Sequence, residues 1–416
     1  MRPDQIDAHV LELCATLRQH GHGAWIVGGC VRDLVMGRPV NDWDVATSAL
    51  PEDVQRIFRR TVPTGIAHGT ITVLLGGGAY EVTTLRGESE YSDGRRPDRV
   101  EFVDEITLDL ERRDFTVNAI AYEPDADALV DPWGGEADIA RRVIRAVRDP
   151  ALRFGEDGLR VLRAARFAAT LEFTLDPATA AAIRPTLDTF RKVSAERVLE
   201  EWRKTMEKAS APSRAFRIMR EHGILHVTCP RLADVDDPTF DRSMLRVDAC
   251  PRDLEMRMAA LLLDAGDEGR AKWVLPWLRD LRFSKNEQHD ILHLMRVARP
   301  PASAFDDDPG LRRWLAEVGR NALDAALTLA EADRVALGDL EGRARAQLEA
   351  GVPLTVGELA IDGNDVMRAL GGPAGRHVGR VLQALFERVL DDPSQNDRAR
   401  LISLVPEAYR SLEGSA

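Results

Sequence analysis

Ala24-Trp25-Ile26-Val27-Gly28-Gly29-Cys30-Val31-Arg32-Asp33 is an apolar run broken by paired glycines, and Asn41-Asp42-Trp43-Asp44-Val45-Ala46-Thr47 follows it shortly afterwards. The first stretch predicts a buried strand that turns sharply into a helix. The second predicts a strand over Asp42 to Ala46, in which Asp42 and Asp44 share a face and Trp43 points the other way. Strand, glycine turn, helix and strand make the opening of an α/β unit, and the rest of the chain reads outward from it.

Further strands are predicted at Thr70 to Leu75, Tyr80 to Leu85 and Arg99 to Phe102, with Gly76, Gly77 and Gly78 turning the chain between the first two of these. Beyond about residue 135 the β signals stop. Amphipathic helices punctuated at Pro150, Pro177, Pro212, Pro251, Pro300-Pro301, Gly351 and Pro373 take over. The expected fold class is therefore α+β, an α/β head followed by an all-α remainder, with Arg299 to Pro309 as the candidate linker. There is no fixed-period repeat and no low-complexity tract.

The 416 residues, 44% hydrophobic and 30% charged, exclude a fibre, a disordered tail and a mini-protein. No run approaches the roughly 20 apolar residues of a membrane helix. Met1 to His20 mixes Asp4, Asp7 and Glu12 into a helical pattern unlike a signal segment, so the expected location is cytoplasmic with no membrane partner. Cys14, Cys30, Cys229 and Cys250 are scattered without CxxC spacing, which supports buried thiols over a disulfide framework or a thiolate zinc site. Net charge is -12, yet residues 141 to 220 hold 18 Lys+Arg against 10 Asp+Glu, a local +8. A nucleic-acid surface belongs in that segment, unless its basic helices merely face acidic neighbours.

Three constellations carry chemistry. Asp42 and Asp44 offer a divalent metal two carboxylates, with Glu81 as a third from a neighbouring strand; such a seat suits Mg²⁺, which completes its shell from water and phosphate. Gly28 and Gly29 give close backbone approach for a triphosphate and Arg32 a charge-assisted clamp. A lone DxD is otherwise a solvated strand face. Next, in Arg112-Arg113-Asp114-Phe115-Thr116-Val117-Asn118, helical spacing places Asp114 and Asn118 on one face flanked by arginines, fit for a ribose hydroxyl and phosphates. The alternative is that Asp114 caps a helix starting near Thr116.

The third is Arg153-Phe154-Gly155-Glu156-Asp157-Gly158-Leu159-Arg160-Val161-Leu162-Arg163. Helical spacing sets Asp157 and Arg160 on one face, where a carboxylate acceptor and a guanidinium donor imitate a Watson–Crick edge and select C and A over U and G. A solvated salt-bridge ladder is the alternative. Gly158 within that helix is expected to cost about 1 kcal/mol relative to Ala, with little functional consequence.

These residues together resemble one family, the class II tRNA nucleotidyltransferases or CCA-adding enzymes, with the bacterial poly(A) polymerases as their near kin, in the DNA polymerase β superfamily. GGCVRD with DWD at 42 to 44 resembles its first motif, RRDFTVNAIA its second, DPWGG at 131 to 135 its third, EDGLR at 156 to 160 its fourth, and Ser194-Ala195-Glu196-Arg197 its fifth. The resemblance implies a polymerase-β-like catalytic head over residues 1–138, a helical neck that selects the nucleobase over 139–208, a body over 209–300 and a tRNA-binding tail over 301–416. It implies catalysis by Asp42, Asp44 and Glu81, metal binding by Asp42 and Asp44, and triphosphate contacts at Gly28, Gly29 and Arg32. It assigns Arg113, Asp114 and Asn118 to ribose and phosphate, Asp157 and Arg160 to base pairing, and counts Arg163 among the nucleotide-binding residues. The implied cofactor is Mg²⁺ at a two-metal site and the implied partners are tRNA, CTP and ATP.

Within the family, Thr64 to Thr70 and Tyr80 to Arg86 resemble the CCA-type proteins, and Arg86 to Pro97, with Tyr91, Asp93 and Arg95, resembles the flexible loop that CC-adding enzymes lack. An A-adding specialist, a poly(A) polymerase and an idle RNA-binding protein on the same fold are the remaining alternatives. His289-Asp290 lacks the companion ligands of a phosphohydrolase metal site and reads as a polar helix face.

Overall fold

A computed structural model describes residues 5–66, 69–87, 101–265 and 271–413. The chain divides into two compact units, Met1–Val235 and Asp236–Ala416.

The first unit is built on a seven-stranded mixed sheet of order β3-β4-β5-β2-β1-β6-β7. Its strands are β1 (Ala24–Val27), β2 (Asp44–Thr47), β3 (Thr61–Gly65), β4 (Thr70–Leu75), β5 (Gly78–Thr84), β6 (Ala121–Glu123) and β7 (Ala128–Val130). β1 runs antiparallel to β2 and β6, whereas β2 and β5 are parallel, with Asp44 paired to Glu81. The glycine turn behaves as expected. Leu75 pairs with Gly78, and Gly76 and Gly77 both have positive φ, as a tight two-residue hairpin turn requires.

Around the sheet lie α1 (Ala8–Gln19), α2 (Gly29–Val35), α3 (Pro51–Ile57), α4 (Ile106–Glu111) and α5 (Gly135–Arg141). Val27, Ala46, Leu85, Leu110, Ala119 and Ala121 form a shared apolar core. Next come α6 (Pro150–Glu156), α7 (Leu159–Leu171), α8 (Pro177–Ile183), α9 (Leu187–Phe190) and α10 (Ala195–Lys208). A two-strand ladder of β8 (Val143–Ile144) and β9 (Thr174–Leu175) ties the start of this helical part together. Asp149 caps α6 by accepting from Ala151 and Leu152, with Pro150 at the first helical position, where its missing N–H costs nothing.

Several expectations need correction. The strand predicted from Asp42 begins at Asp44, so Asp42 and Trp43 lie in the preceding loop and the two aspartates are not alternate strand residues. β3 went unread because its Pro63 argues against a strand; Pro is tolerated here because β3 is the sheet edge. The helix expected over the second motif is a single 3₁₀ turn, Thr116–Asn118, because the chain must re-enter the sheet at β6. The fourth motif is two helices, not one, broken at Asp157, whose backbone is extended. Gly158 sits in that break, where an added Cβ would lie 2.5 Å from the Phe190 backbone, so glycine permits the close approach of α9. The predicted strand Arg99 to Phe102 lies partly outside the described residues; Phe102 forms an isolated bridge with Arg86.

The second unit is helical. Its segment 299–309 is no extended linker: Ala302–Asp306 and Asp308–Val318 are helices, and Arg299 bonds Asp264 and Asp333. Those two carboxylates also hold buried Arg246, closing a four-member ring of alternating charge. All four cysteines are buried free thiols. Among the described residues no helix is long and apolar enough to cross a membrane.

Candidate active site

An open cavity of 780 Å³ in the first unit lies between the sheet and the helices α7 and α10. Every one of the twelve residues expected to act on nucleotide or metal lines it. They fall into two walls with different chemistry.

The first wall is the sheet. The parallel register of β2 and β5 places Asp44 beside Glu81, and Asp42 approaches from the loop before β2. Burial pushes the Asp44 carboxyl up to about 6, helped by the negative charge of Glu81 and Asp42 and opposed by Arg113. The wall is thus short of positive charge. Among the described residues no three His, Cys, Asp or Glu side chains converge as a metal-ligand set. The oxygen-only donors nevertheless fit a hard divalent cation that takes two carboxylates and fills its shell from water and phosphate. Gly28 ends β1 and opens α2 with φ 81°, and a Cβ there would come within 2.9 Å of the Arg113 guanidinium. Only glycine suits that corner.

The second wall is a lattice of arginines and acids. Arg32, from α2, forks onto Asp33 and donates to Asn118 Oδ1 at 2.6 Å. Asn118 in turn donates to Asp114 at 3.1 Å, so these two residues meet through a 3₁₀ turn although no helix carries them. Asp114 is not the helix cap of the alternative reading: its Oδ1 accepts from Phe115 N–H, and its Oδ2 takes two donors from Arg163 at 2.7 and 2.6 Å. Burial pushes its carboxyl up, but Arg163, Asn118 and Arg160 outweigh that and hold it at about 2. Arg113 and Arg112 both donate to buried Asp109, whose carboxyl they keep below the usual carboxylate range against its burial.

At the helix break, Asp157 Oδ1 accepts from Leu159 N–H and Oδ2 from Arg197 at 2.6 Å. Each oxygen keeps acceptor capacity. Arg160, 7% exposed, donates to the Arg153 and Arg112 carbonyls and to Glu156. Its Nε–H has no acceptor among the described residues. Deeper along α7, Arg166 donates to buried Glu201, and the Phe167 ring sits under the guanidinium groups of Arg32, Arg163 and Arg166.

The residues singled out in sequence line one cavity, but sequence reasoning missed their holders. Asp33, Asp109 and Glu201 were not singled out. The available signal was Asp109 three and four residues before Arg112 and Arg113; Glu201 had none, because its partners Arg163 and Arg166 come from another helix. The loop expected over 86–97 lies outside the described residues from 88 on.

Residues 24–145 match the family model described as "Poly A polymerase head domain", and 172–235 match "Probable RNA and SrmB- binding site of polymerase A". The chain is 36% identical over 411 residues to the CCA-adding enzyme of Geobacillus stearothermophilus, covering 97% of each. It is 34% identical over 404 residues to that of Lactobacillus delbrueckii subsp. bulgaricus, covering 96% of this chain and 98% of that one. The crystal structure of the Bacillus stearothermophilus CCA-adding enzyme in complex with CTP matches with a TM-score of 0.82 and 32% identity, covering 100% of each chain.

Proposed function

The chain belongs to the CCA-adding enzymes, and we propose from that premise that its cavity adds and repairs the 3′-terminal CCA of tRNA, using CTP and ATP. The observation that carries the residue assignment is the pairing of two unlike walls in one cavity: carboxylates short of positive charge face a guanidinium lattice that has it in full.

Asp42 and Asp44 hold Mg²⁺, with Glu81 in support. When bound, the ions supply a lowered pKa at the tRNA 3′-hydroxyl and offset charge on the leaving pyrophosphate. Gly28 lets phosphate approach the backbone, and Arg32 and Arg113, oriented by Asp33 and Asp109, present fixed donors to it. Asp114 and Asn118 position the ribose, and Arg163 keeps Asp114 ionised as an acceptor. Asp157 accepts from the exocyclic amine of cytosine or adenine while Arg160 donates to the ring nitrogen. Arg197 fixes the carboxylate for this role. No covalent enzyme intermediate is required. Residues 1–138 act as catalytic head, 139–208 as base-selecting neck, and 209–300 and 301–416 as body and tail.

The test offers labelled tRNA transcripts, ending before the tail, after one C or after both, with CTP, ATP or the two together in Mg²⁺. Growth by C, C and A followed by a halt is expected. Extension confined to the transcript ending in CC, and only by A, would overturn full CCA addition.

A further inference from the structure

On α10, Arg197, Glu201, Lys204 and Lys208 recur at spacings of four, three and four, which puts them on one helical face. That face is a strip of charge beside α7, and only its far end lines the cavity. The strip starts in matched charge: Arg197 holds Asp157, and Glu201 holds Arg166 and reaches Arg163 at 3.6 Å. It ends in Lys204 and Lys208, both of which line the cavity.

The lysines differ from the other cations there. Arg32, Arg113, Arg160, Arg163 and Arg166 each bond an acid, and the first four also bond a second acceptor or a second acid. Releasing Arg163 to a ligand, for instance, takes the arginine from buried Asp114, which is strongly unfavourable. Lys204 has only Glu200 at 3.2 Å, with both side chains well exposed, a pairing worth little and readily given up. Lys208, exposed at the end of α10, has no ion pair among the described residues. A compact ammonium on a flexible stem suits a phosphate as a point charge.

Position selects which phosphate. Lys204 and Lys208 lie seven and eleven residues beyond Arg197, about 10 and 16 Å along the helix axis from the residue that grips Asp157. If the base rests on Asp157 and Arg160, the lysines lie away from it along α10, in the same cavity as Gly28, Gly29, Arg32 and Arg113, the residues assigned to the phosphates. We infer that Lys204 and Lys208 form a binding site for the terminal phosphates of the incoming nucleoside triphosphate and for the pyrophosphate that leaves. This rests on the assignment of Asp157 and Arg160 to the base.

The experiment compares wild type, Lys208→Gln, Lys204→Gln and the double variant, in the full chain with tRNA and Mg²⁺. It reads KM for CTP, ATP and tRNA, and inhibition by inorganic pyrophosphate. The double variant should raise KM for CTP and ATP together, and the pyrophosphate inhibition constant, on the order of tenfold, with base selectivity and tRNA KM unchanged. Lys208→Arg should restore most of the loss. A higher KM for tRNA with normal CTP and pyrophosphate behaviour would assign the lysines to RNA backbone and overturn the inference, as would no change in any constant. Asp157→Ala in the same assay keeps the premise separate. If it loses base choice while the lysine variants leave pyrophosphate inhibition untouched, only the phosphate site fails; if it keeps base choice, the base assignment fails first.

Discussion

Asp44 and Asp114 line the same cavity, yet their surroundings push them in opposite directions. Asp44 has two carboxylates beside it, and its carboxyl rises to about 6; Asp114, more deeply buried, has Arg163 on one oxygen and falls to about 2. Burial opposes ionisation at both, so neighbouring charge decides the outcome. One wall is short of cation, which suits the metal seat proposed for it. The other already pairs its acids with guanidinium groups and serves as a rigid template. An active site for phosphoryl transfer needs both, because transient charge must be stabilised by groups that do not themselves rearrange.

The contrast breaks most sharply at the first wall. Asp44→Asn should cut nucleotide addition by at least about a thousandfold through loss of a metal carboxylate, while leaving the fold intact. Primer extension measures the first effect and thermal unfolding the second. Added Mg²⁺ should raise the melting temperature of the wild type but not of this variant. Full activity in Asp44→Asn would remove the metal role from this wall.

Asp114→Ala should do the reverse and destabilise the protein by about 3 kcal/mol in chemical denaturation, since it leaves Arg163 and Asn118 without their shared acceptor. A variant as stable as wild type would show that the lattice is not the rigid partner of the pair.

The two aspartates also set opposite pH slopes. Asp114, depressed, contributes stability that is present above about pH 4 and is lost as pH falls toward 2, on the order of 2 kcal/mol. Asp44, raised, contributes stability that is present below about pH 4 and is lost as pH rises through 6. Denaturation from pH 2 to 7 in the absence of metal should therefore show the acid slope flatten in Asp114→Asn and the upper slope flatten in Asp44→Asn.

The smallest effect lies at the helix break. Gly158→Ala should cost about 1–2 kcal/mol, because its Cβ meets the Phe190 backbone. Since the break also orients Asp157, misincorporation of UMP or GMP should rise with it. A stable, selective Gly158→Ala would show that the break tolerates side chains.

Much of this was legible in sequence because it depends on local rules. The apolar run before Gly28-Gly29 reads as β1 and the start of α2, the glycine pair at 76 and 77 as a hairpin turn, and the punctuated remainder as helices. Element boundaries were less legible where tertiary demands override pattern. Nothing local forbids a helix over Arg112 to Ala121 or a continuous one across Gly158; the sheet and α9 forbid them.

The residue types and their spacing alone singled out side chains that meet in one cavity: the acids Asp42, Asp44 and Glu81, the paired glycines, and Asp157 with Arg160. Only the tertiary structure decided which acids stay short of positive charge and which are neutralised. That depends on Asp44 falling opposite Glu81 in a parallel register 37 residues away in the chain, and on Arg163 reaching Asp114 from 49 residues away. Charge interactions act through space and strengthen as water is excluded, so neighbours brought together by the fold, not by the chain, set the state of each group.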